Sequence, residues 1–399
     1  MTASSRLDLV DALRGFAIVS IMLLHNIEHF DLYFTPPGQP AWLLAVNKGI
    51  WDTLFALFGG KSYALFALLF GLTFHLQFDA RARRGEDFRP RFAWRMLWLL
   101  AFGLVNSMFF EGDILSIYAV LGLALIPVAR LSTRTVFIIA CLLTLQPFAW
   151  FDVFGALGQP APVAKLPDPA SWAYFGRAEQ YLKHGSLLDV WHGNLTNGKT
   201  GVVLWSWENG RILQIPALFM LGMLAGRHNL FAVNEANARI WRRVLCGALL
   251  AFLPLYFAVT HLDAWVASEL VRRPLEAIVK PLANLCVMLM LATGFALLYR
   301  RAAGARILGM LRPLGRMSLT SYLVQSLAGS VLYYGFGLGL YAVTGSAHAL
   351  AIGVLLAILQ GAFSAWWLRR HRQGPLETVW HRLTWIGSAP AAAATNANG

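Results

Sequence analysis

Charge is scarce in this sequence. Asp, Glu, Lys and Arg make up 13% of its 399 residues, where a soluble domain carries about 25%. Apolar residues make up 57%, which excludes an ordinary water-soluble globule and leaves a polytopic membrane protein. Cysteine is scarce too. Cys141, Cys246 and Cys286 all lie in apolar runs, with no disulfide framework, no C-x-x-C and no metal-ligand spacing, so three buried, inert thiols are expected. The chain lacks G-x-S-x-G, Walker and G-x-G-x-x-G contexts. It also lacks an internal repeat of the sort that marks many transporters. No small-residue cleavage site accompanies the first apolar segment, which holds Asp11, Arg14 and His25. That segment is expected to remain as a span rather than to leave as a signal peptide.

Apolar segments are abundant. Ten stand out, at 9–28, 62–79, 92–110, 113–130, 134–151, 208–227, 240–260, 279–299, 317–340 and 347–368, several of them near the roughly 20 residues that cross a bilayer. The expected fold is all-α, a single transmembrane domain of about ten helices over 1–387, with the lipid bilayer as its surroundings. The net charge of +13 does not call for nucleic acid, because the cations cluster at segment ends, as in "RARRGEDFRPRFAWR" and "RRAAGARILGMLRPLGR". With a cytoplasmic N-terminus, 22 of the 33 Lys and Arg residues fall on the cytoplasmic side and nine on the other. The positive-inside rule then places both termini in the cytoplasm. The external side would hold 13 of the 20 acidic residues and all six lysines. External loops are expected at 29–61, with an interfacial or re-entrant helix in "NKGIWDTLFALFGGK", and at 152–207, with a short amphipathic helix after a proline-rich start. The tail 388–399 is low-complexity and expected to be disordered.

The first segment, "DALRGFAIVSIMLLHNIEHF", carries the most chemistry. Arg14 and His25 are eleven residues apart, about three helical turns or 16 Å along one face. Asp11 lies one turn before Arg14 and can pair with it. Charge within a span faces the bundle interior, so one face carries a cation near one end and an imidazole near the other. One reading makes His25 a general base with Arg14 holding an anionic ligand. The other makes them a membrane anchor and a border residue. His25-Asn26-Ile27-Glu28-His29 also fits the H-x-x-E-H spacing of a zinc signature, but a third ligand has no partner motif, and no metal is expected.

Other polar residues sit at segment edges. Glu111 and Asp113, in "FFEGDILSIYAV", lie at the depth of His25 and are candidates to orient it, or Asp113 serves as an N-cap of the next helix. Arg91 and Arg95, four residues apart, are candidates for the phosphates of a donor, or topological anchors. Glu208 and Arg211, with Asn209 and Gln214, form a cluster read as substrate contact or a helix-end ion pair. Ser318, Ser321 and Gln325 form a stripe suited to helix packing. Lys61 is a lone cation after "LFGG".

Five blocks in order, "DALRGFAIVSIMLLHN", "GGKSYALFALLFGLTF", "EGDILSIYAVLGLAL", "LGRMSLTSYLVQS" and "GPLETVWHRLTW", resemble the YeiB-like bacterial membrane proteins, the domain-of-unknown-function 418 family. That family is similar in turn to the transmembrane acyltransferases, among them acyltransferase family 3 and the heparan-glucosaminide N-acetyltransferases. Those proteins pass an acyl group, often acetyl from cytoplasmic coenzyme A, to a sugar or other acceptor at the far face. The resemblance implies a multi-pass protein of the bacterial inner membrane. Acetyl-coenzyme A would be a donor substrate rather than a tightly bound cofactor, and a small molecule or glycan the acceptor. His25 would be the base, Asp113 or Glu111 its orienting acid, and Arg14, Arg91 and Arg95 the donor's holders. Arg14 and His25 match the spacing of acyltransferase family 3. YeiB-like proteins commonly keep only the asparagine, here Asn26, and often have Leu-Thr-Asn-Tyr where this chain has Ser321. The heparan-type enzymes carry their histidine in the following loop, where residues 37–48 have none. The alternative is a non-catalytic transporter or binding protein for a small metabolite.

Overall fold

A computed structural model describes residues 3–30, 36–157 and 166–386, and among them the secondary structure is helical with no strand. α1 (Ala3–His25) continues into a π-helical turn at Asn26–Phe30. There follow α2 (Ala41–Phe58), α3 (Ser62–Ala82), α4 (Arg89–Phe109), α5 (Leu115–Gly122), α6 (Leu125–Val128), α7 (Thr133–Thr144) and α8 (Pro147–Leu157). Next come α9 (Ala170–His184), α10 (Leu187–Gly193), a second π-helical turn at Asn194–Gly198, and α11 (Lys199–Glu208). The remainder is α12 (Arg211–Arg227), α13 (Glu235–Trp265), α14 (Glu269–Tyr299), α15 (Ala302–Leu308), α16 (Arg312–Arg316), α17 (Ser318–Tyr333), α18 (Ser346–Trp367) and α19 (Pro375–Thr384).

Six helical runs are long and apolar enough to cross a membrane: Asp8–Glu28, Ala41–Ala82, Arg89–Phe109, Glu235–Trp265, Glu269–Tyr299 and Ser346–Trp367. A seventh arises if α7 and α8, bent by 44° at their junction, count as one span. Each of the ten apolar segments carries helix, but four are short or broken, the bent α7–α8 pair at 134–151 among them. Segment 113–130 divides into α5 and α6, α12 has 17 residues and α17 has 16. Their surroundings account for this. α12 is buried along nearly its whole length, so neighbouring helices rather than lipid surround it.

Small residues permit that burial. α3 and α12 touch backbone to backbone at Gly71 and Gly222, where an added Cβ would lie 1.8 Å from the Phe219 and Leu68 carbonyl oxygens respectively. Such contacts are how helices associate without a hydrophobic drive between them. α13 is the opposite case: Leu249, Leu250, Leu253 and Phe257 are exposed on it, as a lipid-facing surface requires. Cys246 is exposed on the same helix while Cys141 is half-buried and Cys286 buried. The expectation of three buried thiols is thus corrected at Cys246. A thiol is apolar enough for a lipid-facing position.

The two long connections are largely helical. Residues 41–58 form α2, mostly exposed. Lys61, just before α3, reaches back to the last turn of α2 and donates from Nζ to the Phe55 carbonyl at 3.1 Å, which assigns the lone cation to the carbonyl end of a helix. The expected amphipathic helix in 152–207 is broken in two at Gly185, where Ser186 and Asp189 cap α10 reciprocally. Residues 31–35 and 158–165 and the tail 388–399 lie outside the described residues.

Candidate functional site

Two cavities open between the helices, one near each end of α1. The first, about 500 Å³, lies toward the start of α1 and is lined by Arg14, Arg81, Arg84, Arg95, Arg316, Glu377, Trp380, His381 and Trp385 among others. The second, about 590 Å³, lies toward the end of α1, with His25, Glu28, Glu111, Glu179, Arg211, Trp172, Phe175 and Trp205 in its wall. Ile21, Tyr63, Ile114 and Tyr322 line both. These four side chains are therefore the partition between the cavities. They come from α1, α3, the α4–α5 turn and α17, and the partition is braced from behind. The Tyr118 hydroxyl donates to the Tyr63 carbonyl at 2.5 Å, and the Tyr63 hydroxyl to Gln214 Oε1 at 2.5 Å. Gln214 Nε2 donates in turn to the Pro281 carbonyl at 3.2 Å.

Arg14 and His25 thus share a face of α1 but face different cavities. Arg14 donates to Asp11 at 2.8 Å, to Thr73 Oγ1 at 3.0 Å and to the Gly315 carbonyl at 3.4 Å, so the pairing with Asp11 expected from spacing is present. The His25 ring packs on Phe110 with centroids 4.4 Å apart and meets Tyr322 of the partition at 6.4 Å. The helix widens to a π turn immediately after His25, a feature frequent at functional sites. Asn26, buried in that turn, donates to the Met22 carbonyl at 2.9 Å and lies behind the wall. The side chain of His29 lies outside the described residues, and among the described residues no group of three His, Cys, Asp or Glu could hold a metal.

The two candidate acids separate. Asp113 is 0% exposed and lines neither cavity. Its carboxylate accepts from Asn106 Nδ2 at 2.9 Å, Ser107 Oγ at 3.2 Å and Ser116 Oγ at 2.9 Å. It also accepts from the amides of Leu115 and Ser116 at 3.2 and 3.1 Å, and Lys199 reaches it at 3.2 Å. The N-cap reading of Asp113 is therefore present, and its lone pairs are occupied. Lys199, which the sequence did not single out, ties α11 to this turn. Glu111 does line the second cavity. Its Oε2 is buried with no hydrogen-bond partner among the described residues, and burial pushes the carboxyl up to about 7, because the charged form loses solvent.

The arginine pair separates as well. Arg95 lines the first cavity with its guanidinium 3.6 Å from the Trp380 ring, while the Trp380 indole donates to the Arg95 carbonyl at 3.1 Å. Arg91 instead holds the end of α19, donating to the carbonyls of Thr384 at 2.9 Å and Ile386 at 3.2 Å, where a cation suits the helix dipole. Glu208 accepts from Ser171 at the start of α9, 3.2 Å from the amide and 2.5 Å from the hydroxyl, and so acts as a cap. Arg211 stays with the cavity. Of the stripe on α17, Ser321 and Gln325 are buried and Gln360 Nε2 of α18 donates to the Ser321 carbonyl at 3.2 Å, which is helix packing, whereas Ser318 lines the first cavity.

Several lining residues were not singled out by spacing. Tyr63 and Tyr322 stand inside the blocks "GGKSY" and "SLTSY", and Glu377, Trp380, His381 and Trp385 belong to the closing block and the residue after its helix. Glu377 accepts from the Leu319 and Thr320 amides at 2.7 and 3.1 Å and from the Thr320 hydroxyl at 2.6 Å. It thereby caps α17 across a gap of more than fifty residues and fastens α19 over the first cavity.

A chain whose secondary structure among the described residues is helical, with helices of membrane-crossing length around two cavities, has the build of a polytopic membrane protein. Residues 225–387 match the family described as "Protein of unknown function (DUF418)". The chain is 26% identical to the uncharacterized protein YxaH of Bacillus subtilis (strain 168), over 98% of this chain and 97% of the relative. It is 29% identical to the uncharacterized protein YeiB of Escherichia coli (strain K12), over 97% and 98% respectively. It is also similar to an uncharacterized 39.9 kDa protein of the amylase 3' region of Bacillus acidopullulyticus, at 26% over 96% and 95%. The match to the DUF418 family thus covers the C-terminal part of the chain, and the similarity to the uncharacterized proteins YeiB and YxaH extends over nearly all of it. No solved structure matches it.

Proposed function

We propose that the protein is a multi-pass acyltransferase of the bacterial inner membrane that passes an acetyl group from cytoplasmic acetyl-coenzyme A to a hydroxyl or amine on the external side. The observation that carries the reading is the pair of cavities that meet at Ile21, Tyr63, Ile114 and Tyr322. A donor thioester in the first cavity and an acceptor in the second would be separated by one layer of side chains. Arg14, Arg81, Arg84, Arg95 and Arg316 in the first cavity suit the phosphates of the donor, and the indoles of Trp380 and Trp385 suit its adenine. In the second cavity His25 takes the proton as the acceptor oxygen or nitrogen attacks the thioester carbonyl. The carbon–sulfur bond then breaks, and the coenzyme A thiolate leaves into the first cavity and is protonated there. Of the two candidate acids, Glu111 rather than Asp113 is the one available to the second cavity. Both termini are cytoplasmic in this reading.

The test uses purified protein in lipid nanodiscs. Acetyl-coenzyme A should protect the wild type against heat, Arg95→Gln should weaken that protection about tenfold, and His25→Ala should leave it intact. Transfer of labelled acetyl to a bacterial envelope extract should fall about 10²-fold or more in His25→Ala, the usual effect of losing a general base. Absence of protection in the wild type, or unchanged transfer in His25→Ala, would falsify the reading. The same partition also suits an alternating gate, so a transporter or binding protein for a small metabolite is the second reading. It requires substrate uptake that survives His25→Asn.

A further inference from the structure

Arg211 opens α12 directly after Gly210, whose φ of +68° turns the chain into the helix. Its guanidinium lies 3.8 Å from the Trp205 ring centroid and 4.1 Å from that of Tyr63, in the wall of the second cavity. Among the described residues it makes no hydrogen bond and no ion pair. Arginines elsewhere in the bundle are engaged, Arg14 with Asp11 and Arg227, at the far end of α12, with the carbonyls of Leu131 and Ala129. Rings against a guanidinium cover its faces and leave its five N–H groups pointing outward in the plane. A charged donor set held away from bulk water requires acceptors. Of the carboxylates in the same wall, Glu179 pairs with Lys183, and Glu28 attracts Arg211 from beyond ion-pair distance. The wall is therefore furnished on one side with an in-plane cationic fork that no protein carboxylate occupies.

We propose that the second cavity is an oxyanion site in which Arg211 holds a carboxylate or phosphate group of its occupant by a two-pronged contact. Paired parallel N–H to oxygen contacts are the arrangement a guanidinium offers such groups. The cavity, about 590 Å³, is of the size that takes one small molecule. Trp172 and Phe175 supply apolar faces, while Glu111 and His25 stand ready for a hydroxyl or an amine. The occupant is then a small molecule with an oxyanion on one part and a hydroxyl or amine on another. Its equation with the acetyl acceptor rests on the acyltransferase reading; the oxyanion site does not.

Thermal protection of the purified full chain in phosphatidylcholine nanodiscs tests this with matched probes, glucuronate against glucose and glycerol 3-phosphate against glycerol. At least one anion should raise the unfolding temperature where its neutral partner does not. Arg211→Gln should weaken that effect about tenfold, the loss of roughly one charge-assisted contact. Arg211→Lys, which keeps the charge but not the planar fork, should weaken it in part and serves if the glutamine variant does not fold. Acetyl-coenzyme A protection, read on the same samples, reports the other cavity and the integrity of each variant. Anions no better than neutral partners in phosphatidylcholine nanodiscs, with no gain on substituting phosphatidylglycerol, overturn the proposal. So does anion protection that is unchanged in both variants. A gain seen only with phosphatidylglycerol, and lost in the variants, assigns the oxyanion to a lipid headgroup. Anion protection without any response to acetyl-coenzyme A keeps the oxyanion site and removes the transfer reading.

Discussion

Glu111 and Asp113 stand two residues apart in one turn and have opposite environments. Asp113 is encircled by six donors and ties Asn106, Ser116 and Lys199 together. Glu111 faces a cavity with one oxygen unsatisfied. Its carboxyl is raised from 4.5 to about 7, so the folded protein binds this proton more tightly than the unfolded chain does. Between about pH 4.5 and 7 folding therefore takes up a proton, and stability falls as pH rises through that window. The full difference is on the order of 3 kcal/mol. Glu111→Gln, which cannot ionise, should abolish this slope. Unfolding temperatures of both proteins at pH 5 and pH 8 would check it, and parallel pH profiles would count against a buried, unpaired Glu111.

At the scale of elements, the helix that most affects the first cavity is the short α19. It is held by Glu377 on the amides of α17, by Arg91 and Trp94 on the carbonyls at its end, and by stacking of Arg95 on Trp380 and Arg81 on Trp385. Removing the carboxylate in Glu377→Ala strips a cap from α17 and a fastening from α19. The expected destabilisation is about 1–2 kcal/mol, as for other lost caps. Trypsin should then cleave faster at Arg370 and Arg372, in the connection before α19, and acetyl-coenzyme A protection should weaken. Equal cleavage rates in variant and wild type would show that α19 is held without Glu377.

At the scale of the whole molecule, long helices and short ones have different places. Runs such as α13, exposed along its apolar face, have the length of a bilayer crossing. α12 and α17 are shorter and sit against other helices, so nothing obliges them to match the bilayer thickness. The arginines of the first cavity lie on the same side as α19, and the proposed reading takes that side as cytoplasmic, as the positive-inside rule would have it. A reporter fused after Arg372 should accordingly be active only as a cytoplasmic reporter, and one inserted between α9 and α10 only as an external one. The reverse pattern would invert the direction of the proposed transfer.

What the sequence determined by itself is local. Apolar runs have to become helices wherever backbone groups are shielded from water, so helix lies on all ten segments. Asp11 finds Arg14 because one turn separates them, and Asp113 caps α5 because its side chain reaches the amides two and three residues on. The role assigned to Arg91 and Glu208 was less legible. A charged residue at a segment edge has the same local pattern whether it meets a ligand, as Arg211 is placed to do, or a distant helix end. Only tertiary structure decided that. Glu377 with Thr320, Arg91 with Thr384 and Lys199 with Asp113 are contacts between residues 57, 293 and 86 positions apart, which no spacing within a helix can encode. The same holds for the partition, built from four elements whose side chains meet only after the bundle has packed. Arg14 and His25, one face and three turns of one helix, end in two different cavities because Ile21 lies between them in the layer it forms with Tyr63, Ile114 and Tyr322, which line both.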